Sequence, residues 1–292
     1  SIEAINKSTW SEKWAEYRKR PGSFIMFIFV HLATLITVLS IGFLLVYVLV
    51  KGIPNLNADI FSWEYTSDNC SLVPALINTV YMTLLSLLIA GPIGIFAAIY
   101  LVEYAKTGNK LVGVVRITAE TLTGIPSIVY GLFGMLFFTN ACGLRLSLIS
   151  GALTLAIMVL PVIMRTTEEA LMAVPKSYRE GSFGLGAGKL RTVFKVVLPS
   201  AVPGILSGII LATGRIVGET AALIYTAGSV AKMATKLTDS TRTLAVHMYL
   251  LSKEGLHTDQ GYATAVVLLV LVVLINFASD KIAGKVAADK AN

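Results

Sequence analysis

Six stretches of this chain are too long and too apolar for the interior of a water-soluble domain: residues 23–50, 72–102, 121–139, 148–164, 199–227 and 262–278. Crossing a hydrocarbon core of roughly 30 Å takes about 20 helical residues. Inside that core a backbone must satisfy its own hydrogen bonds, so each stretch is predicted to be a membrane-spanning helix. The fourth and sixth are short and need flanking residues to span. Of the 292 residues only 14% are charged, against about 25% in soluble domains, and little chain remains for a soluble domain. The first run is too long for a signal-peptide core and lacks a small-x-small cleavage site, so it is read as a retained span.

Lysine and arginine set the expected orientation. With the N-terminus inside, the inner segments hold 17 of the 24 Lys and Arg residues and the outer segments hold six, while Arg215 lies within a span. That bias predicts both termini on the cytoplasmic face of a cell membrane. The net charge of +7 is mostly this asymmetry and forms no basic patch on a folded face, so no nucleic-acid partner is expected. The expected organisation is a cytoplasmic segment 1–22, a first span 23–50, a five-span core 72–278 with a cytoplasmic loop at 165–198, and a cytoplasmic tail 279–292. In the first segment Trp10, Trp14 and Tyr17 recur at helical spacing among charges, which suggests an interfacial helix; a disordered basic tail is the alternative.

Cys70 and Cys142 both fall in outward segments. A disulfide is conceivable there, and coincidence is the plainer reading. The three histidines, His31, His247 and His257, have no metal-ligand spacing, and no metal or cofactor is expected in the chain. A nucleotide loop is not expected either. In the glycine-rich stretch "EGSFGLGAGKLRTVFKVVLP", Gly188-Lys189 is followed by Leu190 where a phosphate loop needs Ser or Thr, and Phe183 stands where it needs Gly.

The same stretch resembles the cytoplasmic EAA loop of bacterial ABC-importer permeases, a motif that runs E-A-A, three residues, G, nine residues, I-x-L-P. Glu180, Gly181 and Ser182 occupy the first three places, Gly186 the glycine, Val196 the isoleucine, and Leu198-Pro199 the close. Gly-Ser for Ala-Ala and Val for Ile are the departures. Leu185, Val193, Phe194 and Val197 are expected on apolar faces, with Lys189, Arg191 and Lys195 solvated, and Gly186 is expected to take positive φ where two short helices meet. In that family the loop docks in a groove of the ATPase subunit. The alternative is an ordinary basic inner loop.

The fifth run carries Arg215 and Glu219. A charge at that depth is costly, so both should face protein or a cavity. Gly204, Ser207, Gly208, Ala212, Arg215, Gly218, Glu219 and Ala222 share one small, polar stripe, as a close helix interface would. Arg215 and Glu219 are i, i+4 neighbours able to pair; the pair either fixes packing or opens to offer the guanidinium fork to an oxyanion. Gly124 and Pro126 are expected to break the third run near its start, either toward a cavity or as a packing kink, and Glu120 is expected to be solvated or interfacial. "GRIVGETAALIYTAG", "GIPSIVYGLFG" and "LPVIMRTTEEAL" resemble stretches of the phosphate-specific branch of the family, the PstA-type permease subunits.

The resemblance implies an all-α membrane protein with the six-helix type I importer permease fold, acting in phosphate import. It carries substrate-pathway roles onto Arg215, Glu219, Thr220 and Arg165, the last of which also reads as a positive-inside anchor. It carries ATPase docking onto Glu180, Gly181, Ser182, Gly186, Leu198 and Pro199. It implies a PstC-type permease partner, an ATPase dimer that binds the ATP and Mg, and an extracytoplasmic phosphate-binding protein. A permease for another oxyanion such as phosphonate, a secondary transporter and a membrane enzyme are the alternatives. The last would want clustered nucleophiles, bases or metal ligands, and the sequence shows none.

Overall fold

The computed structural model describes residues 21–106 and 108–288. The 1–22 segment therefore lies, apart from its last two residues, outside the described residues. The chain divides into two units, 1–51 and 52–292. The first contains most of α1 (Pro21–Gly52), a 32-residue helix of apolar side chains with no described large hydrophobic buried within it.

The regular structure of the second unit is helical, and no strand occurs among the described residues. Its helices are α2 (Val73–Ile99), α3 (Lys110–Thr123), α4 (Ser127–Gly134), α5 (Leu148–Ala173), α6 (Lys176–Gly184), α7 (Lys189–Thr192), α8 (Leu198–Val217), α9 (Ala221–Thr226), α10 (Leu244–Glu254) and α11 (Thr258–Ala288). π-helical turns extend α2 through Tyr100–Tyr104 and α4 through Met135–Ala141, and another, Val193–Val197, joins α7 to α8. Among the described residues, five helices are long and apolar enough to cross a membrane, six if the bent pair α3–α4 counts as one crossing.

α5 is the axis of the core. Leu155, Met158, Val159 and Ile163 are fully buried, against Met82 of α2 and Ala212 and Ile216 of α8. Toward the elbow end Met164 and Leu171 pack with Leu101, Val193, Val197 and Ile205. Small residues permit these approaches. A Cβ on Gly204 would lie 2.6 Å from Ala170 Cβ, and one on Gly208 would collide with Thr166. The stripe on α8 is thus a helix interface at these positions, although Ser207 is exposed.

The structure corrects several element boundaries. The run 121–139 is not one straight helix: α3 begins at Lys110, and the chain turns by 105° between Thr123 and Ser127. Pro126 has no N–H and sits at the α4 N-cap, and the N–H groups of Gly124 and Ile125 fall back on the Thr121 and Leu122 carbonyls. The run 199–227 also breaks, at 218–220. α10 was not foreseen, because its 11 residues show no clear amphipathic period, and α11 continues to Ala288 through much of the stretch assigned to a tail.

The outer elements are pinned by buried polar groups. Asn78 of α2 donates to the Lys232 carbonyl (2.8 Å) and accepts from Ala234 N–H (2.9 Å), and Thr79 accepts from Leu244 N–H (2.8 Å). Both cysteines are free thiols, Cys70 buried and Cys142 exposed.

Candidate functional site

Two groups of residues are candidates for the functional site. The first is the elbow between α5 and α8. α6 closes in a Schellman motif, in which Gly186 N–H donates to Phe183 O (2.9 Å) and Ala187 N–H to Ser182 O (3.1 Å). Gly186 takes φ +80°, as its place after the helix requires, and a Cβ there would meet nothing, so the demand for glycine is conformational. The hydroxyls of Ser182 and Thr192 lie 2.8 Å apart and tie the two limbs together. That contact gives Ser in the third motif place a structural use.

Glu180, Gly181 and Gly186 are exposed, while Leu198 and Pro199 are partly buried where the π turn passes into α8. Pro199 stands in the first turn of α8, where a missing N–H costs little. The apolar residues divide differently from the expectation. Val193 and Val197 are buried in the chain's own core, whereas Leu185 is 91% exposed, beside exposed Leu190 and Phe183. Leu185, Leu190 and Phe183 together leave an exposed apolar tip.

The second group lies where two broken helices cross. Gly131 of α4 sits so close to α9 that a Cβ there would be 2.8 Å from Ala222 Cα. Tyr130 donates its hydroxyl to Leu122 O (2.8 Å), across the α3–α4 break. Non-helical backbone at such depth is tolerated where it lines a cavity or is buried in protein, and transporters use such breaks at substrate sites.

α8 ends just after Arg215, and this undoes the expected pairing. Glu219 lies past the helix end, 8% exposed, and its Oε1 accepts from Ala222 N–H (3.0 Å) at the start of α9. Thr220 is the N-cap residue of α9, partly buried; its hydroxyl makes a long contact to Gly218 O (3.5 Å) and its carbonyl accepts from Ile224 N–H (3.2 Å). Arg215 is half-buried, within electrostatic reach of the Tyr130 hydroxyl, and has no ion pair among the described residues.

Arg165 is placed apart from this junction, in a charged row on α5. Its guanidinium meets Glu169 (3.2 Å) and Glu120 of α3 (3.6 Å). Beside it Arg116 pairs with the buried Glu168. The row lines a cavity of about 250 Å³. Glu120, expected to be solvated or interfacial, is a partner of Arg165. Sequence reasoning missed Arg116 and Glu168, although the spacing of Arg165, Glu168 and Glu169 at i, i+3, i+4 was a usable signal for one charged face.

The family model described as "Binding-protein-dependent transport system inner membrane component" matches residues 90–288. The chain belongs to this family. This permease is 33% identical over 270 residues to a probable ABC transporter permease protein, YqgI, of Bacillus subtilis, covering 85% of this chain and 90% of that protein. It is 40% identical over 179 residues to the phosphate transport system permease protein PstA of Xylella fastidiosa, covering 61% of this chain and 62% of that protein. Among solved structures, a chain of the MetNI methionine ABC transporter in an inward-facing conformation superposes with a TM-score of 0.59 at 25% identity. That match covers 74% of this chain and 95% of the other.

Proposed function

We infer that this permease is one half of the membrane pathway of an ABC importer for inorganic phosphate. The Arg215 junction carries the reading of an anion path. A guanidinium without a carboxylate partner among the described residues, at the meeting of two broken helices, presents a planar fork of donors to an oxyanion. Glu219 is occupied in capping α9 and leaves the Arg215 charge in place. Arg165, paired with Glu120 of α3 and with Glu169 of its own helix, is the second basic residue of the proposed pathway. The likeness to the PstA protein of Xylella supports phosphate as the cargo.

The elbow is the proposed ATPase contact, through Leu185 and Leu190 at the tip and Glu180, Gly181 and Gly186 along its exposed side, with Ser182, Leu198 and Pro199 shaping it. ATP and Mg belong to that ATPase dimer, and this chain supplies no nucleotide site. A second, PstC-type permease completes the pathway, an extracytoplasmic phosphate-binding protein delivers the anion, and both termini lie in the cytoplasm.

Phosphate uptake by the reconstituted complex tests the reading. Arg215→Gln is expected to abolish uptake while assembly persists, and Arg215→Lys to keep part of it because charge remains and the fork is lost. Glu219→Gln, which retains an acceptor for Ala222 N–H, should assemble and transport. Normal uptake by assembled Arg215→Gln complexes would remove Arg215 from the anion path. Uptake of phosphonate in preference to phosphate would change the cargo.

A further inference from the structure

The elbow has an unusual anchorage. α6, the limb that carries Glu180, has no fully buried residue and meets the other limb through the Ser182 and Thr192 hydroxyls. Its direct polar tie to α2 and α5 among the described residues is the Arg179 side chain. Arg179 donates from Nε (3.1 Å) and Nη2 (2.6 Å) to Glu103 Oε1, from Nη2 to Leu171 O (2.9 Å), and from Nη1 to Val174 O (2.9 Å). The last two acceptors lie at and just past the C-terminal end of α5, and Glu103 lies in the π turn that ends α2. The Arg179–Glu103 pair is largely buried, the side chains being 17% and 9% exposed.

The other limb reaches the same place. Lys189, at the start of α7, sits with its ammonium 5.0 Å from the centre of the Tyr104 ring. Both limbs of the elbow are thus tied to consecutive residues, Glu103 and Tyr104, at one end of α2. α2 in turn packs along α5, where Gly94 brings the two backbones close: a Cβ there would lie 3.3 Å from Met164 N.

We propose that Arg179 and Glu103 are positioning residues that pass movement of the ATPase-docked elbow to α2, with Lys189 over Tyr104 as a second tie. The pair has the properties such a link needs. It is charge-assisted and two-pronged, hence short and directional, and its burial protects it from the screening that weakens surface pairs. The carbonyl bonds to Leu171 and Val174 hold Arg179 on α5 whether or not Glu103 is present. Removing the Glu103 charge therefore separates the link to α2 from the capping of α5.

The inference rests on the importer reading and is tested in the full complex, with both permeases, the ATPase and the binding protein in liposomes. Glu103→Gln is expected to assemble and keep basal ATP hydrolysis. The stimulation of hydrolysis by phosphate-loaded binding protein, and the phosphate moved per ATP, should each fall by about fivefold or more, the lower end of typical coupling between sites. Glu103→Asp, which keeps the carboxylate, should recover part of the ratio.

A merely structural pair would lower the yield or thermal stability of the complex and leave both ratios unchanged in what assembles; that result overturns the proposal. Where Glu103→Gln does not assemble, Arg179→Lys, which keeps the charge and loses the fork, is judged by the same two ratios. If the wild-type complex moves a different anion, phosphate as cargo fails, and the ratio measured with that anion still tests the link.

Discussion

Gly186 shows how one backbone angle constrains the elbow. At φ +80° an L side chain is strained, by about 1–2 kcal/mol for an ordinary residue, and a β-branched one is a sharper outlier. Gly186→Val is expected to distort the α6 end and reduce both co-purification with the ATPase and phosphate-stimulated hydrolysis. Gly188→Ala, at φ −72° with open space around a Cβ, should be tolerated. His247 is a second case. Buried beneath Tyr65 and near the Arg242 charge, its imidazole is pushed down from 6.5 to about 3, burial being the larger cause. The unfolded chain takes up that proton near 6.5, so acid favours unfolding. Stability is full above pH 6.5 and falls as the pH drops toward 3, by up to about 1.4 kcal/mol per unit. His247→Gln should flatten the slope of thermal stability against pH across that window in detergent, whatever it does to the absolute midpoint.

Among the elements, the crossing of α4 over α9 is set by the absence of a side chain. An added methyl at Gly131 would press on the Ala222 backbone at 2.8 Å, which cannot rotate away. Gly131→Ala should therefore cost about 1–3 kcal/mol and lower the thermal midpoint of the purified protein. Gly113→Ala, in α3 with nothing within 4 Å of the new Cβ, should be neutral or stabilising by up to about 1 kcal/mol. Equal effects of the two changes would mean that this crossing is not tightly packed. The broken helices themselves were half legible. Pro126 announces its break, because proline lacks the N–H and restricts the residue before it. The break at 218–220 carries only Gly218, a weak signal amid an apolar run, so the eye continues the helix and pairs Arg215 with Glu219.

For the whole molecule, orientation and thiol chemistry make one joint prediction. An impermeant maleimide added to intact cells should label Cys142 rapidly and Cys70 only after denaturation, since Cys142 is exposed and Cys70 is 1% exposed. Burial also raises the Cys70 thiol above its usual range, which lowers its thiolate fraction further. Labelling of Cys142 only in inverted vesicles would reverse the orientation drawn from the Lys and Arg bias. A peptide linking the two cysteines under non-reducing conditions would contradict the free thiols.

The membrane class, the approximate places of the long helices and, through its motif, the elbow could be read from the amino-acid sequence. These depend on local quantities: the apolar length needed to cross a bilayer, the bias of positive charge, and a motif whose glycine has a conformational duty within its own turn. The long-range ion pairs could not. Arg179 meets Glu103, 76 residues away, and Arg116 meets Glu168, because α2, α3, α5 and α6 converge. No spacing along the chain encodes such a meeting. The fate of Arg215 and Glu219 was likewise a tertiary decision. Their i, i+4 spacing makes a pair only while the helix continues. That helix ends after Val217, the Glu219 carboxylate accepts from a backbone N–H, and among the described residues the guanidinium has no carboxylate partner.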